Sequence, residues 1–134
     1  MKFVKNDGGR SKYFPSKLKK DRAHDCIIRA IATALEMDYM KVWNDLFALG
    51  TKIGQLPNSW DTAEMYLESK GWVKNKPFRD SRNRKMELRK TPFDKSERYL
   101  MTTSGHMTAV INNEIHDTWD CQEWCGNSYY TKQK

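Results

Sequence analysis

Three side chains have the types and the chain order to carry out covalent chemistry: the thiol of Cys26, the imidazole of His106 and the carboxylate of Asp117. Cys26 follows Asp25, the expected cap of a helix DCIIRAIATALEM. At that position the helix dipole and the exposed first-turn amides favour an anion, so a thiolate is stabilised. His106 follows Ser104-Gly105 and starts an apolar strand, where its ring can project into a cleft. Asp117 stands eleven residues later, on the next expected strand. A carboxylate beside an imidazole fixes its tautomer and stabilises the imidazolium. Each residue also has a plainer reading. Cys26 suits a small core position, His106 a surface or capping position, and Asp117 an ordinary strand end.

The elements that must hold these groups are legible from periodicity. Ile27, Ile28, Ala30, Ile31, Ala32, Ala34 and Leu35 are apolar almost all round, which marks a buried central helix. A second helix is expected at 38–49, with Gly50 closing it, and a third at 59–70, capped by Ser59 or Asp61 and stopped by Gly71. From residue 98 the pattern changes to short strands: RYLMTT, HMTAVIN, EIHDTW and a weaker NSYYTK at 127–132. Asn112-Asn113 suits a tight hairpin turn, which pairs residues whose numbers sum to about 225. Asp117 then falls opposite Thr108 or Ala109, at the limit of direct reach to His106. Helices first and an antiparallel sheet afterwards make an α+β arrangement. Residues 1–24 read as an extended basic lead-in with a turn at Gly8-Gly9. Residues 73–97 read as a long basic loop interrupted by Pro77 and Pro92.

The helix DCIIRAIATAL followed by SGHMTAVINNEIHDTWD resembles the papain-like cysteine peptidase superfamily. It is most similar to the compact bacterial branch that contains bacteriocin-processing and cell-wall peptidases. It is also similar to a group of small phage-associated proteins with a D-C-x-x-R-A helix and a G-H-x-x-A-V…I-H-D-T-W-D hairpin. The likeness covers 25–37 and 98–120 closely. It implies a papain-like α+β domain spanning 1–134, with the nucleophile on a central buried helix packed on a small antiparallel sheet. It further implies a thiol-dependent hydrolase acting on a peptide, isopeptide or other amide through a thioester. Cys26 matches the nucleophile, His106 the base and Asp117 the orienting acid. The family's oxyanion glutamine is missing from Lys20-Asp21-Arg22-Ala23-His24-Asp25. Arg22 is the candidate replacement, acting with the backbone N–H of Cys26. Loss of one such donor costs about 10²–10³ in rate, which puts the level of activity in question.

Other classes are weighed against this one. An inactive papain-like fold could serve as a basic binding or inhibitor protein for a host protein or nucleic acid. An acyltransferase or transglutaminase-like enzyme would use the same residues with an amine acceptor. The net charge is +7, and 17 of the 24 Lys and Arg fall within 1–22 and 74–95. These segments suit an acidic partner, including nucleic acid, although no helix-turn-helix, zinc finger or phosphate-binding loop supports that reading. Cys121-x-x-x-Cys125 has the spacing of a zinc ligand pair but lacks a second pair, so no metal or cofactor is expected. The odd count of three cysteines argues for free thiols. His116, adjacent to Asp117, points to the opposite face of its strand. Trp119 and Trp124 are candidates for one wall of a substrate groove, or else pack the sheet. The opening residues lack the apolar stretch of a signal peptide, and no run of about 18 apolar residues exists. The expectation is a cytoplasmic protein, in the host cytoplasm if phage-encoded, with a protein or peptide substrate and no membrane contact.

Overall fold

The computed structural model describes residues 1–15 and 23–134. Among them are four helices and one six-stranded mixed sheet, an α+β arrangement. None of these helices is long and apolar enough to cross a membrane.

The first segment differs from the extended lead-in expected of it. Lys2–Lys5 forms strand β1, the Gly8-Gly9 turn follows with both φ angles positive, and Arg10–Tyr13 forms the short helix α1. Gly8 is required where it stands, because a Cβ there would lie 2.6 Å from the Arg29 carbonyl oxygen.

Helix α2, Cys26–Leu35, is the buried centre expected from its composition. Its cap differs in detail: the Asp25 carboxylate makes no hydrogen bond to the first-turn amides. Helix α3 is Tyr39–Ile53, capped by Asp38, whose side chain accepts from the Lys41 amide. It runs past Gly50 and ends at Gly54, at φ 73°. Gly50 serves close approach instead of termination, since a Cβ there would meet the Gln55 carbonyl oxygen at 2.6 Å. Helix α4, Trp60–Ser69, starts at Ser59, which accepts from the Thr62 amide.

The sheet consists of β1, β2 (Trp72–Asn75), β3 (Arg98–Thr103), β4 (His106–Ile111), β5 (Glu114–Asp117) and β6 (Ser128–Lys132). Their order is β1-β5-β4-β3-β6-β2. The expected sheet was antiparallel throughout, but β1 lies parallel to β5. The remaining neighbours are antiparallel. Asn112 and Asn113 have φ 53° and 58°, as a turn of type I′ needs, and Ala109 faces His116 as the turn arithmetic requires.

Both faces of the sheet are covered. On one, Ile27, Ile31, Val42, Leu46 and Leu67 of the helices pack on Leu100, Met107, Ala109 and Tyr130. On the other lie Tyr99, Met101, Val110 and Ile115. The segment 73–97 is therefore not a free solvated loop. It begins within β2 and then lays Phe78, Leu88 and Phe93 over the second face. Phe78 stacks on Tyr129 with ring centroids 4.6 Å apart, and Phe93 packs on Tyr99 at 4.8 Å. A 3-10 turn at Leu88–Lys90 is tied to the chain after β5 by Leu88 N–H to the Trp124 carbonyl and Arg89 N–H to that of Gln122, each 2.9 Å.

Candidate active site

The β4–β5 hairpin sets the distance between His106 and Asp117. Its register puts Asp117 across from Thr108, two positions along the same face from His106. Such diagonal neighbours are roughly 7–8 Å apart at the backbone, within reach of a long or aromatic side chain. The imidazole spans the gap, and its Nε2 lies 2.7 Å from Asp117 Oδ2. No bulge or register shift is needed. The backbone of Asp117 is held from the other side by β1, where the Asn6 N–H donates to its carbonyl at 2.8 Å.

The other carboxylate oxygen, Oδ1, accepts the Thr118 N–H at 2.7 Å and lies 3.9 Å from Arg29 Nη2. Asp117 is buried. Burial alone would raise its pKa, but the hydrogen bond and charge of His106 hold it below the ordinary carboxylate value.

His106 is also buried, at 7% exposure. Burial works against its charged form. Hydrogen bonding to Asp117, Cys121 and Cys26, with the Asp117 charge, reverses this and pushes its pKa up to about 11. Trp119 packs on its ring, with centroids 4.8 Å apart at 42°, and Trp124 meets Trp119 edge-on at 5.3 Å. Trp119 thus covers the imidazole, while Trp124 is 43% exposed and carries that wall to the surface.

Cys26 is the first residue of α2 and is half-buried. Burial pushes its pKa up, and a hydrogen bond from His106, a backbone hydrogen bond from Met107 and the charges of His106 and Arg29 bring it below the free-thiol value. Because Nε2 of His106 is engaged by Asp117, Nδ1 is the ring nitrogen left for the thiol. The Asp25 carboxylate is turned away from the helix start, leaving the first-turn amides without its cap.

A buried charge chain stands behind this group. Asp25, 2% exposed, accepts from Arg10 Nη1 at 2.8 Å, from the Tyr39 hydroxyl at 2.6 Å and from Arg29 Nη1. Arg29, itself buried, then reaches Asp117. The order Arg10, Asp25, Arg29, Asp117, His106 alternates in sign from β1–α1 to the thiol. Sequence reasoning gave Arg29 no role. The signal was present: a lone arginine in a helix apolar on every side is stable only with a buried partner.

Cys121 and Cys125 have the spacing of a ligand pair, and with His24, Cys26, His106 and His116 they are the sequence's candidate metal ligands, yet the two cysteines differ. Cys125 is exposed and directs its Sγ to the Lys85 carbonyl at 3.8 Å. Cys121 is fully buried, with Sγ 3.9 Å from Asp117 Oδ2. One donor atom each from His106, Asp117 and Cys121 falls within 4.8 Å of the others, a set with zinc-type chemistry. Two ligands of one tetrahedral zinc sit roughly 3.3 Å apart. The 2.7 Å contact of His106 with Asp117 is a hydrogen bond, and the Arg29 cation faces the same carboxylate. As they stand, the three side chains form a hydrogen-bonded group centred on Asp117 Oδ2.

His116 lies on the opposite face of β5, with Nδ1 3.4 Å from the Asn6 side-chain amide. Arg22 lies outside the described residues. No protein-family model, curated protein or solved structure matches the chain.

Proposed function

We propose that this chain is a papain-like thiol hydrolase that cleaves a peptide, isopeptide or other amide bond, with Cys26 as nucleophile, His106 as proton carrier and Asp117 as its orienting acid. The observation that carries this reading is the imidazole held by Asp117 at 2.7 Å while lowering the pKa of a thiol at a helix N-terminus. An ordinary core cysteine has no use for a buried, carboxylate-anchored imidazole at its side.

The opposed shifts, thiol down and imidazole up, favour the thiolate–imidazolium pair over the neutral thiol–imidazole pair. The thiolate attacks the carbonyl carbon and forms a C–S bond. The carbonyl oxygen becomes an oxyanion beside the first-turn amides of α2, including the N–H of Cys26. His106 gives its proton to the departing nitrogen, the C–N bond breaks, and a thioester remains. His106, now neutral, takes a proton from water, and the hydroxide adds to the thioester. Collapse releases the acid and restores the thiolate. Asp117 stays ionised throughout and stabilises the imidazolium.

The test is the rate of Cys26 alkylation by iodoacetamide from about pH 4 to 9, in the wild type and in His106→Ala, with Cys26 followed by peptide mapping. Fast labelling well below the free-thiol pKa of about 8.5, lost in the variant, is expected. An ordinary thiol profile in both proteins would refute the assignment.

A further inference from the structure

A groove of two adjoining hollows opens across the β3–β4 hairpin from His106. His106 and Met107 begin β4, and their partners across the hairpin are Thr103 and Thr102. Met107 is also the backbone partner of the Cys26 thiol, so Thr102 lies one strand away from the nucleophile. Asn58 at the entry to α4 donates to the carbonyl of His24, two residues before Cys26, and brings the Trp60 end of α4 to the same side.

A hollow of about 240 Å³ opens there between Trp60, Thr102, Thr103 and Ser128, with Lys74 on its rim. It continues across Asn127–Ser128 into a second hollow, walled by Lys74, Asn75, Lys76 and Pro77. Lys85, on the wall of a neighbouring hollow that also holds Asp80 and Glu87, donates to Asn127 Oδ1 at 3.1 Å. No acidic side chain lines the two hollows of the groove. Of the three lysines, Lys74 has one loose ion pair, with Glu64 at 3.9 Å. Lys76 and Lys85 make none among the described residues, and all three are exposed. Lys74 and Lys76 on the walls, with Lys85 beside Asn127, set a potential that draws anionic chain segments in toward Thr103, the hairpin partner of His106.

We infer that this groove binds an acidic polypeptide segment, so that the substrate carries Asp or Glu residues on one side of the bond to be cleaved. The inference rests on the hydrolase reading above. It adds what that reading lacks, a class of substrate. A polypeptide fits better than nucleic acid, because the walls are hydroxyls, amides and two rings, of which Tyr130 is buried and only Trp60 is exposed, instead of a row of aromatic platforms for bases.

The probes are a 12-residue peptide of alternating Glu and Gly, its Gln-Gly counterpart and an oligothymidylate of 12 nucleotides. Each is added to the full-length protein, and Cys26 alkylation is followed by peptide mapping. At a concentration about ten times its Kd, the Glu-Gly peptide should slow labelling about tenfold by occupancy, and the Gln-Gly peptide should not. The variant Lys74→Glu/Lys76→Glu/Lys85→Glu should lose that protection. Lys52→Glu/Lys95→Glu/Lys134→Glu, equal in charge but placed elsewhere, should keep it. Lys76→Gln alone, at an exposed side chain, should weaken it with no risk to folding. Equal protection in both triple variants, or none in the wild type, would overturn the inference. So would protection by the oligonucleotide through the same lysines without protection by the peptide. Failure of the hydrolase reading shows separately, as low-pH labelling that His106→Ala leaves unchanged with no probe present.

Discussion

Charge is concentrated in two regions of this molecule and is treated in opposite ways. The cluster behind Cys26 buries Asp25, Arg29, Asp117 and His106. Each has an opposite partner within hydrogen-bonding or ion-pairing distance. The segment 74–95 holds more charge but keeps it in water. Arg84 pairs with Asp80, and Lys90 and Arg89 with Glu87, all on exposed cations. Exposed pairs gain little against solvent and salt. Buried pairs interact strongly but lose hydration, so each depends on its partner staying in place. Where charge must set the ionisation of a thiol, the fold excludes water. In the segment 74–95 the fold leaves it wet.

The largest effect should come from breaking the buried chain in its middle. Arg29→Ala leaves the Asp25 and Asp117 carboxylates facing each other without the cation between them. Loss of one member of a buried pair costs about 3–5 kcal/mol, so the urea midpoint should fall sharply. Arg29→Lys should recover part of that stability but not all, because an ammonium cannot reach both carboxylates as a guanidinium fork does. Equal stability of all three proteins would mean that the buried cluster is energetically no different from the surface one.

A smaller change in stability, but a large one in reactivity, is expected of Asp117→Asn. The amide keeps the shape and removes the charge that raises the pKa of His106. The imidazolium then loses its proton at lower pH, and the thiolate loses its counter-ion. Alkylation of Cys26 near pH 6 should drop, and any amidase activity should fall by about 10²–10⁴, the usual worth of a positioned acid–base group. An unchanged pH profile of labelling would separate Asp117 from the thiol.

Stability against pH sharpens the contrast further. His106 has a folded-state pKa raised from 6.5 to about 11, so its contribution is complete below about 6.5 and is lost as pH rises through about 11. The lowered pKa of Asp117 contributes above its ordinary value of 3.8 and is lost as pH falls below it. The pair therefore stabilises most between about pH 4 and 6.5. Urea midpoints across pH should decline on the alkaline side, and His106→Gln should flatten that decline. A wild-type curve already flat from pH 6 to 10 would contradict the raised imidazole pKa.

Local rules made part of this legible in the sequence. Helix α2, the Asn112-Asn113 turn and the register of β4 with β5 follow from periodicity and turn chemistry acting over a few residues. The turn arithmetic left Asp117 opposite Thr108 or Ala109, and the folded hairpin selects Thr108, on the face of His106. The distant pairings were not legible. Strand β1 is four residues long, and its partner Glu114–Asp117 lies about 110 positions on, so nothing local in Lys2-Phe3-Val4-Lys5 announces it. The cover at Phe78, Leu88 and Phe93 has no period because the chain there is irregular. The link from Arg29 to Asp117 depends on how α2 sits against the sheet, a tertiary fact. Gly50 shows the opposite error: a rule about glycine and helix ends, correct on average, gave way to a close approach that only the folded chain contains.

The smallest effect is expected in the exposed region, and it is the control that gives the others meaning. Arg84 donates to Asp80 at 3.1 Å from a side chain 66% exposed. The same carboxylate already accepts the Arg82 and Arg84 backbone amides at 2.9 Å, so the turn is held without the guanidinium. Arg84→Gln should leave the urea midpoint and the pH profile of Cys26 labelling unchanged within error, at low salt and at 0.5 M salt alike, since screening acts first on charges exposed to solvent. A clear loss of stability at low salt, restored by nothing but the arginine, would show that the surface pairs are part of the fold's support, and the division between a dry cluster whose members depend on one another and a wet one whose members do not would no longer hold.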